Sequence, residues 1–359
     1  MTLHDLIVEC ASAAIGQMDP ATGRMQAGHN GPYHDPETPV RTTSHWMVTF
    51  VAAYRISGDR SFLEAGRRAA AFLSSEEARP HGKTFYHRLN PKKDRCNGLV
   101  GQAWTIEALL ESYETLDRPE LRDLAQEVFE LHVLEPALGV WHPVEIDGTV
   151  LDLDMTFNHQ LWFAASAALM AHHGCNRAGI ELDRFMECVD DRLTIARSGL
   201  IEHALTMPSS LLQRGRQKVD RLRRSASRKR ADFLRAVGYH AFNLYAFAMI
   251  YPHRPMHTFW RTGKFRKLLH YVDSREYHAH ISASKYGFPY NPPGFEVAMA
   301  LETFKDVHSS GRRDWWVNEQ LRQCYDVTAH LMSRNTEDPV THASRVYEAT
   351  RLPDMPLSF

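Results

Sequence analysis

At 359 residues, 43% apolar and 24% charged with a formal net charge of −1, the chain can bury a large core and has no basic excess to suggest nucleic acid as a partner. No run of about 18 apolar residues occurs, and the first residues lack a basic segment, apolar core and small-residue cleavage site, so an unexported, cytoplasmic protein is expected. Five scattered cysteines (Cys10, Cys96, Cys175, Cys188 and Cys324) fit reduced thiols and not a disulfide framework.

Residues 2–16 carry Leu3, Leu6, Ile7, Ala11 and Ala14 at helical spacing and predict an outer helix. A loop rich in Gly, Pro, His and Asp over 19–41 leads to Thr42-Thr-Ser-His-Trp46, which opens a second helix ending near Gly58 and Asp59. A third, over 61–75, puts Glu64, Arg67 and Arg68 on one face and alanines on the other. The same unit then returns: polar loop, capped apolar helix, short turn, amphipathic helix. The apolar members are predicted to begin near His45, Gly98, Asn158, Tyr239 and Phe295, and their amphipathic followers near Ser61, Pro119, Ala178, Met256 and Arg313.

A sixth apolar helix, from Thr341 to Arg351, lacks a follower, and the first helix lacks a leader. The two ends can therefore complete one hairpin and close a ring, where an open solenoid would need polar capping repeats. The expectation is an all-α (α/α)6 toroid forming one domain over 1–359, with apolar helices inside and amphipathic ones outside. Extended pieces, Thr84-Phe-Tyr-His87 and Val140-Trp-His-Pro-Val144 before the Asp147-Gly148 turn, predict small β-hairpins over one mouth.

A basic insertion at about 207–235 breaks the repeat: lysines and arginines crowd it from Arg214 to Arg235, against Asp220 and Asp232. Such a run is ordinarily a solvated face. Its functional reading is a contact for a polyanionic glycan or an anionic membrane surface. Without interleaved aromatics it does not read as a nucleic-acid site.

In such a ring the starts of the inner helices surround one mouth, and here they are polar and aromatic. Round the ring they present His45 and Trp46; Asn97, Gln102 and Trp104; Asn158, His159 and Trp162; Tyr239 and His240; Tyr290; and Arg345. Aromatic rings stack on the apolar faces of sugars while amides and imidazoles read hydroxyls, so these are the expected substrate-binding residues of an oligo- or polysaccharide site. Taken singly, helix tryptophans more often pack a core.

Glycoside hydrolysis needs two carboxylates across the scissile bond. Asp154, just before an inner helix, Glu296 in the first turn of another, and Glu348 in the closing helix are the candidates, with Asp94 and Asp152 as loop alternatives. A helix N-terminus lowers a carboxyl pKa and suits Asp154 to the base, whereas a more enclosed glutamate suits the acid. Hydrolysis is the leading expectation. The second is abstraction of the C5 proton of a uronic acid, giving a lyase or an epimerase, with His159 as base, a tyrosine or His240 opposite, and Arg345 or Arg351 on the substrate carboxylate. The third is a non-catalytic glycan-binding toroid. No phosphate-cradling glycine loop and no His-Glu-x-x-His or Cys-x-x-Cys spacing occurs, so neither a cofactor nor a metal is expected.

At Cys96-Asn-Gly-Leu-Val-Gly-Gln-Ala-Trp-Thr-Ile-Glu-Ala-Leu109, Thr156-Phe-Asn-His-Gln-Leu-Trp162 and Arg345-Val-Tyr-Glu-Ala-Thr-Arg-Leu352 the chain resembles the AglQ-like family of the archaeal Agl N-glycosylation cluster, found also near bacterial surface-polysaccharide genes. The resemblance spans nearly the whole chain. It implies a six-hairpin glycosidase fold and a role in processing glycans, uronic-acid-containing ones among them. More distantly the layout is similar to the unsaturated glucuronyl hydrolases, whose acid/base aspartates would correspond here to Asp154 alone.

Overall fold

A computed structural model describes residues 1–207, 225–308 and 312–359. Helix α1 (Leu3–Ile15) opens on a capping box in which Thr2 Oγ1 accepts the Asp5 N–H and the Asp5 carboxylate accepts the Thr2 N–H. Two hairpins follow, α2 (Val40–Ser57) with α3 (Arg60–Leu73), then α4 (Gly98–Leu116) with α5 (Glu120–Leu131). A short antiparallel ribbon, β1 (Leu134–Glu135) and β2 (Val140–Trp141), precedes α6 (Phe157–His172) and α7 (Asn176–Arg192). The long α8 (Ala226–Ile250) is followed by a 3-10 turn at Thr258–Arg261, α9 (Gly263–His270) and α10 (Arg275–Ala283). Then come α11 (Pro293–Thr303), α12 (Arg313–Cys324) and α13 (Pro339–Ser344), which runs into a 3-10 helix, Arg345–Arg351.

The helices form a closed ring. Around its inside α2 packs on α4, α4 on α6, α6 on α8, α8 on α11, α11 on the terminal 3-10 helix, and that helix back on α2. The fold is the all-α six-hairpin toroid. In α6 every residue from Gln160 to Met170 is buried, as an inner helix covered on all sides requires, whereas α3 buries Phe62, Ala65, Ala69 and Leu73 and leaves Glu64 exposed. The two ends of the chain close the ring by pairing: the Leu3 N–H donates to the Met355 carbonyl at 2.9 Å and the Leu357 N–H to that of Met1 at 3.1 Å.

Three local expectations are corrected. The fourth inner helix begins at Ala226, well before Tyr239, so Tyr239 lies mid-helix. Its outer partner, expected as one helix from Met256, is cut into short pieces. Thr262 caps α9 by accepting the Phe265 N–H and Ser274 caps α10 by accepting the Tyr277 N–H, so each hydroxyl restarts the helix that periodicity would have continued. The closing helix tightens to 3-10 geometry, in which residues i and i+3 eclipse, and this sets Arg345 over Glu348. Of the predicted extended pieces, Val140–Trp141 forms β2 and Val144 bridges Val150 around the Asp147-Gly148 turn, whereas Thr84–His87 makes no strand.

Inner-helix amides hold the loops in place. Gln102 accepts the Phe85 N–H at 2.8 Å and donates to the Phe85 and Cys96 carbonyls, and Gln160 grips Trp141 in the same way. A buried amide satisfied on both sides fixes loop backbone that would otherwise carry unpaired groups. All five cysteines are free and buried. Among the described residues no helix is long and apolar enough to cross a membrane. The body of the expected basic insertion, residues 208–224, lies outside the described residues, and its end belongs to α8.

Candidate active site

A cavity of about 160 Å³ opens at the mouth of the ring. One water needs ~10–15 Å³ on this measure, so the space holds on the order of ten waters, enough for a sugar ring. Asn97, Trp104, Asn158, His159, Tyr239, Tyr290 and Arg345 line it, as the sequence led us to expect. Joining them are Asn30, Tyr33, Arg88, Lys93, His203, Arg235 and Phe242, from loops and from the middle of α8. Among the described lining residues there are four cations and no carboxylate. Arg88 and Lys93 are paired with Asp35 and Asp94, and Arg345 with Glu296 and Glu348, so the positive charge facing the space rests mainly on Arg235 and on the amino ends of α4 and α6.

His159 stands in the first turn of α6, and its Nδ1 lies 2.6 Å from Asp154 Oδ2. Asp154 also accepts the Thr156 N–H through Oδ1, at 2.9 Å. Burial alone raises the Asp154 carboxyl, but the charge and hydrogen bond of His159 and the bond from Thr156 outweigh it and bring the pKa down to about 2. In the neutral imidazole an ionised Asp154 favours the tautomer with the proton on Nδ1, the one that has its lone pair on Nε2. Asp154 does not itself line the cavity; it orients the imidazole that does.

Gly98, at φ +55°, is packed against this pair: a Cβ there would meet Asp154 Oδ2 at 2.9 Å and His159 Nδ1 at 3.3 Å. Gly98→Ala is therefore expected to cost about 1–2 kcal/mol of stability through backbone strain. By displacing the pair it should lower turnover about 10–100-fold. Thermal unfolding read beside initial rates separates the two effects, and a loss of stability with full turnover would show that the contact does not matter to catalysis.

Glu296 and Glu348, expected as partners in hydrolysis, are fully buried and do not line the cavity. Both grip Arg345: Nη2 donates to Glu296 Oε1 at 3.0 Å and Nε to Glu348 Oε1 at 2.7 Å, while Nη1 reaches Asn291 Oδ1 at 3.1 Å. Burial and the neighbouring Glu348 charge push the Glu296 carboxyl well above the usual range, against Arg345. Burial likewise raises Glu348. One guanidinium shared by two buried carboxylates does not offset their burial, so both carboxyls stand raised.

The remaining expected residues stand away from the cavity. His45 lies beneath it, stacked on Tyr347 at 4.2 Å with Nδ1 3.3 Å from Ser344 Oγ. Burial, then Arg41 and Arg345, hold it well below the usual histidine range. Trp46 packs on Phe50, and Trp162 stacks on Phe242 while donating from Nε1 to the Phe242 carbonyl. His240 is fully buried: Nδ1 accepts the Ile201 N–H and Nε2 donates to the Leu268 carbonyl. With Gln102 it serves the scaffold. Asp94 accepts from Arg88 and from the Gly98 N–H, and Asp152 is exposed.

His203 is one of the lining residues that sequence reasoning missed. The bridge between Thr156 and Ala204, and a bond from the Phe157 N–H to the His203 carbonyl, bring its loop beside α6. Burial and then the His159 and Arg235 charges lower its pKa to about 4. Its ring centroid is 5.2 Å from that of Tyr239, whose hydroxyl lies 3.0 Å from Tyr33 Oη. Burial and the neighbouring tyrosines keep Tyr239 far above its ordinary pKa, so it is a neutral donor. Asn158 Oδ1 and Arg235 Nε are buried without partners at the cavity wall.

No family model matches the chain. It is similar to archaeal glycosylation protein Q of Haloferax volcanii, at 43% identity over 98% of both chains. Among solved structures it is similar to the cellobiose 2-epimerase of Bacillus thermoamylovorans B4167, with a TM-score of 0.66 and 10% identity over 97% of this chain and 98% of that one. An unsaturated glucuronyl hydrolase specific for heparin gives a TM-score of 0.61 at 10% identity, over 97% and 94%. Likeness at such low identity shows a shared toroid and no more. The extent and level of the sequence match reach further, and the chain belongs to the family of archaeal glycosylation protein Q.

Proposed function

We propose that this protein is a glycan-processing enzyme that abstracts a proton from an anionic, uronic-acid-containing oligosaccharide, as an epimerase or a lyase. The observation that carries this reading is the Asp154–His159 pair, 2.6 Å apart, at a cavity lined by four cations and, among the described residues, by no carboxylate. Two supports stand beside it: the Haloferax relative is named for glycosylation, and the shared fold serves sugar epimerases as well as hydrolases.

Arg235, whose Nε is without a partner at the cavity wall, receives the substrate carboxylate, which makes the neighbouring C5–H more acidic. His159 Nε2 takes that proton, and the electron pair moves into the carboxylate group. Asp154 stabilises the imidazolium that forms. The neutral Tyr239 hydroxyl, also in the cavity wall, completes the reaction as proton donor. A proton delivered to the other face of C5 gives the epimer. If the C4–O bond breaks instead, the electron pair returns to form a C4–C5 double bond and the donor protonates the departing oxygen.

Hydrolysis is the second reading, and it draws on the hydrolase relatives of the fold. It requires a carboxylate pair across the bond, and the two enclosed glutamates are engaged with Arg345. Incubation with uronic-acid oligosaccharides in deuterated water separates the two. Label at C5, or the ultraviolet absorbance of an unsaturated uronate, is the expected result. New reducing ends with neither would replace this reading with hydrolysis.

A further inference from the structure

A cluster on the outer wall of the ring, sharing no residue with the cavity, has the chemistry of a metal site. His270 ends α9, Asp273 lies in the following 3-10 turn, and His308 lies just past α11. One donor atom from each falls within 4.8 Å of the others. The two imidazoles meet edge to face with centroids 4.1 Å apart, and His308 Nε2 contacts Asp273 Oδ2. The other oxygen, Asp273 Oδ1, is buried without a hydrogen-bond partner. A plain ion pair accounts for His308 and Oδ2 but leaves both the second imidazole and the orphaned oxygen unexplained.

We propose that His270, Asp273 and His308 bind a zinc ion. Two imidazole nitrogens and a carboxylate oxygen are a zinc donor set, and the exposed edge at His270 leaves the fourth position to water. The ion has a structural task at this point. The fourth outer element of the ring is cut into short helices, each too short to be held by its own propensity. A cation shared by the end of α9 and the turn after α11 ties that broken segment to the next hairpin. Helical periodicity does not reveal the set, since His308 is remote in sequence from the His-x-x-Asp pair.

The test uses the full chain, stripped with chelator, dialysed and titrated with zinc chloride. One zinc per chain should bind, and its cobalt form should show the visible bands of a four-coordinate site. At a hundredfold excess over Kd the unfolding midpoint should rise by about 3–6 °C. His270→Ala, on an exposed side chain, and His308→Ala should each weaken binding more than tenfold, whereas His159→Ala in the cavity should not. Absence of stoichiometric binding, binding that survives both outer-wall variants, or binding lost with His159→Ala would each overturn the proposal.

Discussion

His159→Ala is expected to lower proton abstraction by about 10²–10⁴-fold while leaving the fold intact. The side chain lines the cavity and is partly exposed, so its loss widens the cavity and opens no closed void in the core. Glycan affinity should change little, because Arg235 and the lining amides remain. Asp154→Asn is the sharper probe. The asparagine keeps the size of the aspartate but can turn its NH₂ toward Nδ1, which moves the imidazole proton to Nε2 and removes the lone pair that faces substrate. A comparable loss of rate with unchanged affinity is expected, following the known behaviour of a histidine base with its orienting carboxylate removed. Deuterium incorporation at C5, measured beside glycan binding by calorimetry, reads both quantities. Near wild-type exchange in His159→Ala would move the base to His203.

Arg345→Ala should be the most destabilising substitution near the site. It strips the guanidinium that both fully buried glutamates bond, and breaking a buried ion pair in this way costs about 3–5 kcal/mol. The sign of the pH dependence follows from the raised carboxyls. A carboxyl whose folded pKa lies above its unfolded value of about 4.5 favours the folded state at low pH and loses that contribution as pH rises through the folded pKa. The deficit of Arg345→Ala should therefore be smallest near pH 4.5 and deepen toward neutrality. Glu296→Gln and Glu348→Gln, added together to Arg345→Ala, should restore most of the stability, since neutral amides need no counter-ion. Thermal unfolding across that pH range checks the first claim and the triple variant the second. A deficit independent of pH would mean that the glutamates are not the source of the cost.

The candidate site was legible only in part. Asp154 and His159 were each singled out, for different reactions and not as a pair, although both lie at one helix start, where capping and the first helical turn bring residues together. The fate of Glu296 and Glu348 was of a different kind. Each sits at an inner-helix position that looks inward by periodicity, yet Arg345, distant in sequence from Glu296, lies between that glutamate and the cavity. His203 and Asn30 were invisible for a related reason. Their loops carry no periodic signal, and they reach the cavity only through long-range bonds, such as Phe157 N–H to the His203 carbonyl and Tyr290 Oη to Asn30 Oδ1.

What the amino-acid sequence determined by itself was the alternation of fully apolar with one-faced helices, and hence a ring of hairpins with complementary ends, because burial periodicity is written into each helix locally. It also determined which helix starts carry polar and aromatic side chains. Only the tertiary structure decided which of them share a cavity, which are spent on holding loops, and which charges cancel. Those outcomes depend on distances between residues far apart in the chain, and on the low dielectric of a core in which one arginine can decide the ionisation of two glutamates.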